Sequence, residues 1–129
     1  MLGSGAMTNS IEDVTRKAEV IMLVGSNPEE AHPVIGMQIR AAVERGCRLI
    51  AVDPRDIGLA AHADIHLKLR PGTNVAFANG IVNYLIQHEL YDEDFVRERT
   101  EGFEILAATV RDCTPAWVEE VCGVDRRDL

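Results

Sequence analysis

The stretch that decides the fold is Val20-Ile21-Met22-Leu23-Val24, followed directly by Gly25-Ser26-Asn27-Pro28. Five consecutive apolar residues, three of them β-branched, are typical of a strand buried on both faces of a parallel sheet. The glycine, the two small polar residues and the proline predict a tight turn. An amphipathic segment from Val34 to Arg45 then predicts a helix. A strand, a polar turn and a helix form the first half of a βαβ unit.

The turn after this strand is expected to face a ligand, because α/β sheets bind ligands beyond the carboxyl ends of their strands. It contains no G-x-G-x-x-G pattern, whose bare glycine backbone receives the pyrophosphate of a nicotinamide dinucleotide. Asn27 and Glu30 offer side chains there instead. Backbone N–H groups and the helix start after Pro28 would suit a diphosphate.

Two further strands are predicted, at Arg48–Val52 and at Ile65–Leu69, and the alternating pattern of the last one favours a place nearer an edge. Asp53-Pro54-Arg55 follows the second strand. An acid in that place accepts hydrogen bonds from ribose hydroxyls in nucleotide-binding folds, and arginine is a planar donor for a phosphate or a base edge. We therefore expect the Asp53 side chain to point outward at the rim of the sheet.

A third polar turn, Gly72-Thr73-Asn74, follows the third strand and precedes a predicted helix from Val75 to His88. Because the carboxyl ends of parallel strands meet at one rim of a sheet, all three turns are expected to lie together. The order of elements predicts an α/β fold: a Rossmann-like three-layer α/β/α domain with a mostly parallel sheet. This domain is expected to span residues 1–129.

Two shorter helices are predicted in the last third of the chain. Asp92 is a candidate cap for a helix over Glu93–Arg99, with acids in its first turn and arginines in its last. Thr114-Pro115 is typical of a helix start, and Gly123 of its end.

Composition narrows the classes of partner. The net charge of −8 argues against nonspecific nucleic-acid binding, which needs a basic surface. No apolar run approaches the roughly 20 residues that a membrane helix requires, and Met1–Ser10 does not read as a signal peptide. These features predict a cytoplasmic protein without membrane insertion, and they leave a periplasmic parent protein open.

Several motifs occur in order along the chain. They are Gly-Ser-Asn-Pro-x-Glu-Ala-His-Pro from Gly25, Val-Asp-Pro-Arg from Val52, Arg-Pro-Gly-Thr-Asn from Arg70, then Leu90-Tyr91-Asp92, Arg99-Thr100-Glu101-Gly102-Phe103 and Thr114-Pro115. Together these motifs resemble the molybdopterin oxidoreductases, and most of all the catalytic (alpha) subunit of formate dehydrogenases. Periplasmic-type nitrate reductases are similar as well.

The resemblance implies one α/β domain of a larger subunit, holding a guanine nucleotide arm of a bis-molybdopterin guanine dinucleotide cofactor with molybdenum or tungsten. The intact enzyme would oxidise formate to carbon dioxide and pass electrons through an iron–sulfur cluster. The implied partners are the remaining domains of the parent subunit and electron-transfer subunits. Carried over by motif, the cofactor-binding residues are Gly25, Ser26, Asn27, Glu30, Asp53, Pro54, Arg55, Gly72, Thr73 and Asn74.

No catalytic or metal-ligating residue is predicted in this chain. Its cysteines, Cys47, Cys113 and Cys122, have no C-x-x-C pair and no cluster spacing, so the iron–sulfur cluster is expected in the parent enzyme and not here. The isolated chain is therefore expected to lack formate dehydrogenase activity. Two other functions stay open: a Rossmann-like nucleotide-binding module, and a structural relic like the related respiratory NADH dehydrogenase subunit that has lost the pterin.

Overall fold

The structure, a computed structural model, describes residues 9–129. The prediction that Met1–Ser10 is not a signal peptide therefore falls mostly outside the described residues. The chain divides into two compact units, with the boundary between Lys68 and Leu69. The predicted α/β fold with a parallel sheet is confirmed. That all 129 residues form one domain stays a prediction.

The first unit contains a three-stranded parallel sheet in the order β1-β2-β3. Val20 pairs with Arg48 and Val24 with Val52, while Ile50 pairs with Ile65. The first two strands have the predicted bounds, and the third ends two residues early. The elements are α1 (Ile11–Lys17), β1 (Val20–Val24), α2 (Pro28–Ala31), α3 (Pro33–Glu44), β2 (Arg48–Val52), a 3₁₀ turn (Gly58–His62) and β3 (Ile65–Leu67).

One face of this sheet forms the core of the first unit. The buried cluster consists of Ile21, Ile39, Ala42, Leu49 and Leu59, and side chains of α1 pack against it. Ile21 and Leu49 are register partners on neighbouring strands, so β1 and β2 present one apolar face to α3.

The expectation that β1 is buried on both faces is wrong. Val20, Met22 and Val24 are 54%, 44% and 50% exposed. Successive side chains of a strand point to opposite faces, and β1 lies at the edge of the described sheet. The face that carries Ile21 packs on α3 in the buried cluster, whereas the opposite face of β1 is about half exposed.

The second unit is helical, and its predicted caps are confirmed. The Asp92 carboxylate accepts a hydrogen bond from the Phe95 N–H at 2.8 Å, and Thr114 Oγ1 accepts one from the Trp117 N–H at 3.3 Å. Gly123 ends the last helix with a φ of 77°. The helices are α4 (Asn74–Gln87), α5 (Glu93–Arg99), α6 (Phe103–Val110) and α7 (Pro115–Cys122).

Helix α4 packs against α6 and α7 through one small and one polar residue. A Cβ on Gly80 would overlap the buried Val118 side chain of α7, so the glycine permits close approach of the two helices. Asn83 is buried and donates from Nδ2 to the carbonyls of Val110 and Arg111, both at 3.0 Å. Across residues 9–129, no helix has both the length and the apolar character that spanning a membrane would take.

Candidate ligand site

The turn after β1 begins at a glycine in the left-handed region. Gly25 has a φ of 59°, and its N–H donates to the Val52 carbonyl at 2.8 Å. This bond joins the carboxyl end of β1 to that of β2. Ser26 is half-buried and Glu30 is exposed. The first predicted turn therefore lies at the predicted end of the sheet.

Asn27 carries the least satisfied polar atom of this turn. Its side chain makes no capping hydrogen bond to α2, although its carbonyl accepts from the Glu30 and Ala31 N–H groups at 3.2 and 3.0 Å. Asn27 Oδ1 is buried and has no donor within the described residues. An unsatisfied buried acceptor costs about 1–3 kcal/mol, and native proteins rarely keep one. This atom is the feature of the turn that points to a ligand.

The predicted helix from Val34 to Arg45 is confirmed as α3, Pro33–Glu44, but a separate short helix precedes it. Helix α2 has four residues and stops at His32, because Pro33 has no N–H and disfavours helical backbone in the residue before it. A single turn has a small dipole. That the helix start after Pro28 holds a diphosphate stays a prediction, to which so small a dipole contributes little.

A glycine of α3 lets α2 lie close to that helix, and sequence reasoning did not identify it. A Cβ on Gly36 would lie 2.9 Å from both the N and the Cα atom of Glu29. A Cβ on Gly58 would meet only the carboxylate end of the flexible Glu29 side chain, which can turn away, so no close packing of backbone depends on that glycine. The sequence did contain a signal for the close packing at Gly36, because this glycine lies within the predicted amphipathic helix. A glycine inside a helix lowers its stability by about 1 kcal/mol relative to alanine, so its presence often has a packing reason.

Asp53 lies at the carboxyl end of β2, as predicted, but its side chain is buried. The residue is 1% exposed. Its Oδ1 accepts from the Arg55 N–H and Nε–H, and its Oδ2 accepts from Arg55 Nη2, all at 2.9 Å. The expectation that the Asp53 side chain points outward is wrong, because Arg55 folds back and donates to both carboxylate oxygens. The contact between Asp53 and a ribose stays a prediction.

The backbone of Asp53 is also anchored. Its N–H donates to the Leu67 carbonyl at 3.2 Å, and His66 Nε2 lies 3.0 Å from its carbonyl oxygen. Because a carbonyl can only accept, Nε2 is the nitrogen of His66 that carries the proton. His66 thus has a structural role, since it holds the backbone of Asp53.

Carboxylates from both of the first two turns, Glu30 and Asp53, act electrostatically on the Arg55 guanidinium. The side-chain hydrogen bonds from Arg55 lower the pKa of Asp53 from 3.8 to about 2, although burial acts in the opposite direction. The same bonds raise the pKa of Arg55, and the charge of Glu30 adds to that shift. The Arg55 side chain stays 63% exposed, against 2% for Asp53. The first unit thus brings the Gly25–Glu30 and Asp53–Arg55 turns together.

We predict that Asp53→Asn lowers the free energy of unfolding by about 1–3 kcal/mol at neutral pH, because a buried charge-assisted hydrogen bond is lost. The depressed pKa of Asp53 contributes stability that is present above its unfolded value of 3.8 and disappears as the pH falls through about 2. Wild type and variant should therefore converge in that window. Urea unfolding of both proteins at pH 7 and near pH 2 measures the difference.

Asp64→Asn is the matched control for this prediction. Asp64 also accepts a hydrogen bond from an arginine, Arg48, at 2.6 Å, but its side chain is 31% exposed. Its replacement should cost less than that of Asp53. A loss at Asp53 below about 0.5 kcal/mol, the usual limit for surface substitutions, would show that the buried pair does not stabilise the fold.

The third predicted turn belongs to the second unit. Gly72 has a φ of 88°, Thr73 donates from N and Oγ1 to the Arg70 carbonyl at 3.2 and 2.7 Å, and Asn74 is exposed at the start of α4. Arg70 also donates from its backbone N–H to the Cys122 carbonyl at 2.9 Å and from Nη1 to the Val121 carbonyl at 3.2 Å. The arginine thus caps the carbonyl end of α7. That all three turns share one rim stays a prediction.

The described residues contain no group of three or more His, Cys, Asp and Glu side chains placed to hold a metal ion. Cys47, Cys113 and Cys122 are free.

Comparisons with known proteins agree with one another. The family described as molybdopterin oxidoreductase matches residues 2–116. The chain is 45% identical over 124 residues to the F420-dependent formate dehydrogenase subunit alpha of Methanocaldococcus jannaschii, which covers 96% of this chain. It is 36% identical over 128 residues to formate dehydrogenase H of Escherichia coli, which covers 99% of it.

A solved structure gives the same picture. Acetylene hydratase from Pelobacter acetylenicus matches with a TM-score of 0.79 and 33% identity over 92% of this chain. The chain spans only 18% of the length of each of these three proteins.

Proposed function

We infer the function from the family: this chain belongs to the molybdopterin oxidoreductases. We propose that it is the cofactor-binding part of a formate dehydrogenase-like enzyme and that it holds the guanine nucleotide arm of a bis-molybdopterin guanine dinucleotide. The observation that carries the proposal is the buried, unpaired Asn27 Oδ1 in the turn at the end of β1. A ligand donor at this turn would remove the cost of that orphan acceptor.

The names of the relatives support a binding role over a catalytic one. A dehydrogenase and a hydratase catalyse different reactions, yet both contain a region similar to this chain. A shared region is better suited to a shared need, such as holding a cofactor, than to chemistry that differs. The substrate, formate, and the iron–sulfur cluster are proposed only for the parent enzyme.

The donor set of the first unit fits a nucleotide. Asn27 supplies an acceptor, the Gly25 turn brings backbone close to a ligand, and Arg55 supplies exposed donors. In the second unit, Gly72, Thr73 and Asn74 are proposed to bind the cofactor as well. When bound, the cofactor supplies the metal centre at which substrate reacts, and this chain binds and orients its nucleotide end.

The proposed partners follow from the relatives. The formate dehydrogenase of Methanocaldococcus jannaschii is named as an alpha subunit, and this chain matches 18% of its length. We propose that the remaining domains of such a subunit, and its electron-transfer subunits, are the partners of this chain.

We predict that GDP and GMP bind this chain better than NAD, and weakly, because a full cofactor divides its contacts among domains. Amide resonances of Ser26, Asp53 and Asn74 should shift on titration with GDP. Ser10, Asp64 and Asn79 are matched controls of the same residue types and should not shift. Shifts at the first three residues that respond to NAD and not to GDP would contradict the proposal.

A second candidate is a structural relic that has lost the cofactor. The internal pairing of the Asp53 carboxylate favours it, because both carboxylate oxygens already accept hydrogen bonds from Arg55 and the side chain is 2% exposed. The same titration separates the two functions. A folded chain that binds none of the three nucleotides supports the relic.

A further inference from the structure

We propose that Arg55 selects guanine by donating to the O6 and N7 acceptors of the base, and that Asp53 is the positioning residue that holds the guanidinium for this contact. The inference rests on the proposed function and deepens it, because it names the residue that distinguishes one base from another. It also replaces the ribose contact expected of Asp53.

Both oxygens of the Asp53 carboxylate accept hydrogen bonds from Arg55. Three hydrogen bonds of 2.9 Å join them, two to Oδ1 and one to Oδ2. With 2% of its side chain exposed, Asp53 offers almost no surface to a ribose hydroxyl, whereas the Arg55 side chain is 63% exposed. Asp53 therefore acts through Arg55.

The anchor of this pair is rigid. The Asp53 N–H donates to the Leu67 carbonyl in the strand ladder, and His66 Nε2 holds the Asp53 carbonyl. Pro54, between the two partners, restricts the backbone. Arg55 therefore loses little further conformational entropy when a ligand binds, and this favours recognition of the ligand by the planar guanidinium group.

The free side of Arg55 consists of donors only. A guanidinium has five N–H groups; one on Nε and one on Nη2 bind Asp53, so three remain on a side chain that is 63% exposed. Donors of this geometry pair with two acceptors in one plane. Guanine presents such a pair in O6 and N7, whereas adenine presents an acceptor next to a donor amine.

The local charge favours a base edge over a phosphate. Asp53 neutralises Arg55, and the charge of Glu30 also acts on the guanidinium. Two carboxylates against one guanidinium leave a net negative charge, in a chain whose net charge is already −8. A phosphate would meet repulsion there, while the neutral O6 and N7 atoms would not.

Titration of the chain with GDP, IDP and ADP tests the proposal, because inosine keeps O6 and N7 while adenine lacks O6. GDP and IDP should bind about tenfold or more tightly than ADP, the discrimination typical of a bidentate arginine–guanine pair. Arg55→Met should lower the affinities for GDP and IDP to that for ADP. Arg48→Met is the matched control, since Arg48 is also paired with an aspartate but lies at the start of β2.

The positioning role of Asp53 has its own readout. Asp53→Asn should lower the affinity for GDP and IDP and leave the affinity for ADP unchanged. The double variant, Asp53→Asn with Arg55→Met, should have the same nucleotide affinities as Arg55→Met alone. The double variant also serves if Arg55→Met does not fold, because it removes the buried carboxylate that the single change leaves unpaired. Thermal melts identify the folded variants.

Each other outcome overturns the inference in a distinct way. If Asp53→Asn lowered the affinities for GDP, IDP and ADP equally, the result would support a contact between Asp53 and the ribose. Equal affinity of the wild type for GDP and ADP would assign Arg55 to phosphate, and a preference for guanine that survives Arg55→Met would assign base selection to another residue. Absence of any nucleotide binding would remove the proposed function together with this inference.

Discussion

Val52→Asp is expected to unfold the first unit, with a loss of more than about 4 kcal/mol, which is exceptional for one substitution. Val52 is 2% exposed at the centre of the three-stranded sheet, with Val24 and Leu67 as its register partners. An aspartate there would be a buried charge without a partner. Circular dichroism melts and urea titrations measure the loss.

Val24→Asp is the matched control for Val52→Asp. The two valines are register partners on the neighbouring strands β1 and β2, but Val24 is 50% exposed. Its replacement should cost about 1 kcal/mol, the usual loss for a point mutation, since the carboxylate keeps its water. Equal losses at the two positions would show that burial does not control the stability of this sheet.

Asn83→Leu is expected to destabilise the second unit by about 2–3 kcal/mol, because it leaves two backbone carbonyls without their donor. Asn83 is 3% exposed, and its Nδ2 bonds to Val110 and Arg111 hold the carboxyl end of α6 on α4. Asn83→Asp should also destabilise at neutral pH, since carboxylate oxygens would face carbonyl oxygens. Protonation restores a donor, so this variant should gain relative stability as the pH falls.

Asn79→Leu is the matched control on the same helix. Asn79 is partly exposed, and none of the described hydrogen bonds involves its side chain. The substitution should change the free energy of unfolding by less than about 0.5 kcal/mol, as is usual at a surface position. A loss at Asn83 no larger than that at Asn79 would mean that the two carbonyl contacts contribute nothing.

Local pattern was enough for most elements of this chain. The run Val20–Val24 and the segment Arg48–Val52 became strands with the predicted bounds, and Asp92 and Thr114 cap the helices predicted after them. These outcomes follow from residues within a few positions of each other. Apolar runs, capping side chains and prolines act over that range, so one sequence suffices to place them.

Motif order was enough for the family, but not for the geometry of the site. The sequence placed Asp53 at the end of β2 and predicted an outward side chain, whereas the structure buries it against Arg55. It placed Asn27 in a ligand turn, and only the packing of that turn left Oδ1 without a partner. Residue type identifies what a side chain can donate or accept, and tertiary contacts determine whether it is still free to do so.

What the sequence by itself determined is the parallel α/β order, the helix caps and membership of the family. The tertiary structure alone decided that one face of β1 stays exposed, that Asp53 serves Arg55, and that Asn83 reaches carbonyls 27 and 28 residues away. The physical reason is the distance along the chain between the residues that interact. Turns and caps depend on neighbours in the chain, whereas burial and the pairing of polar groups depend on which distant segments the fold brings into contact.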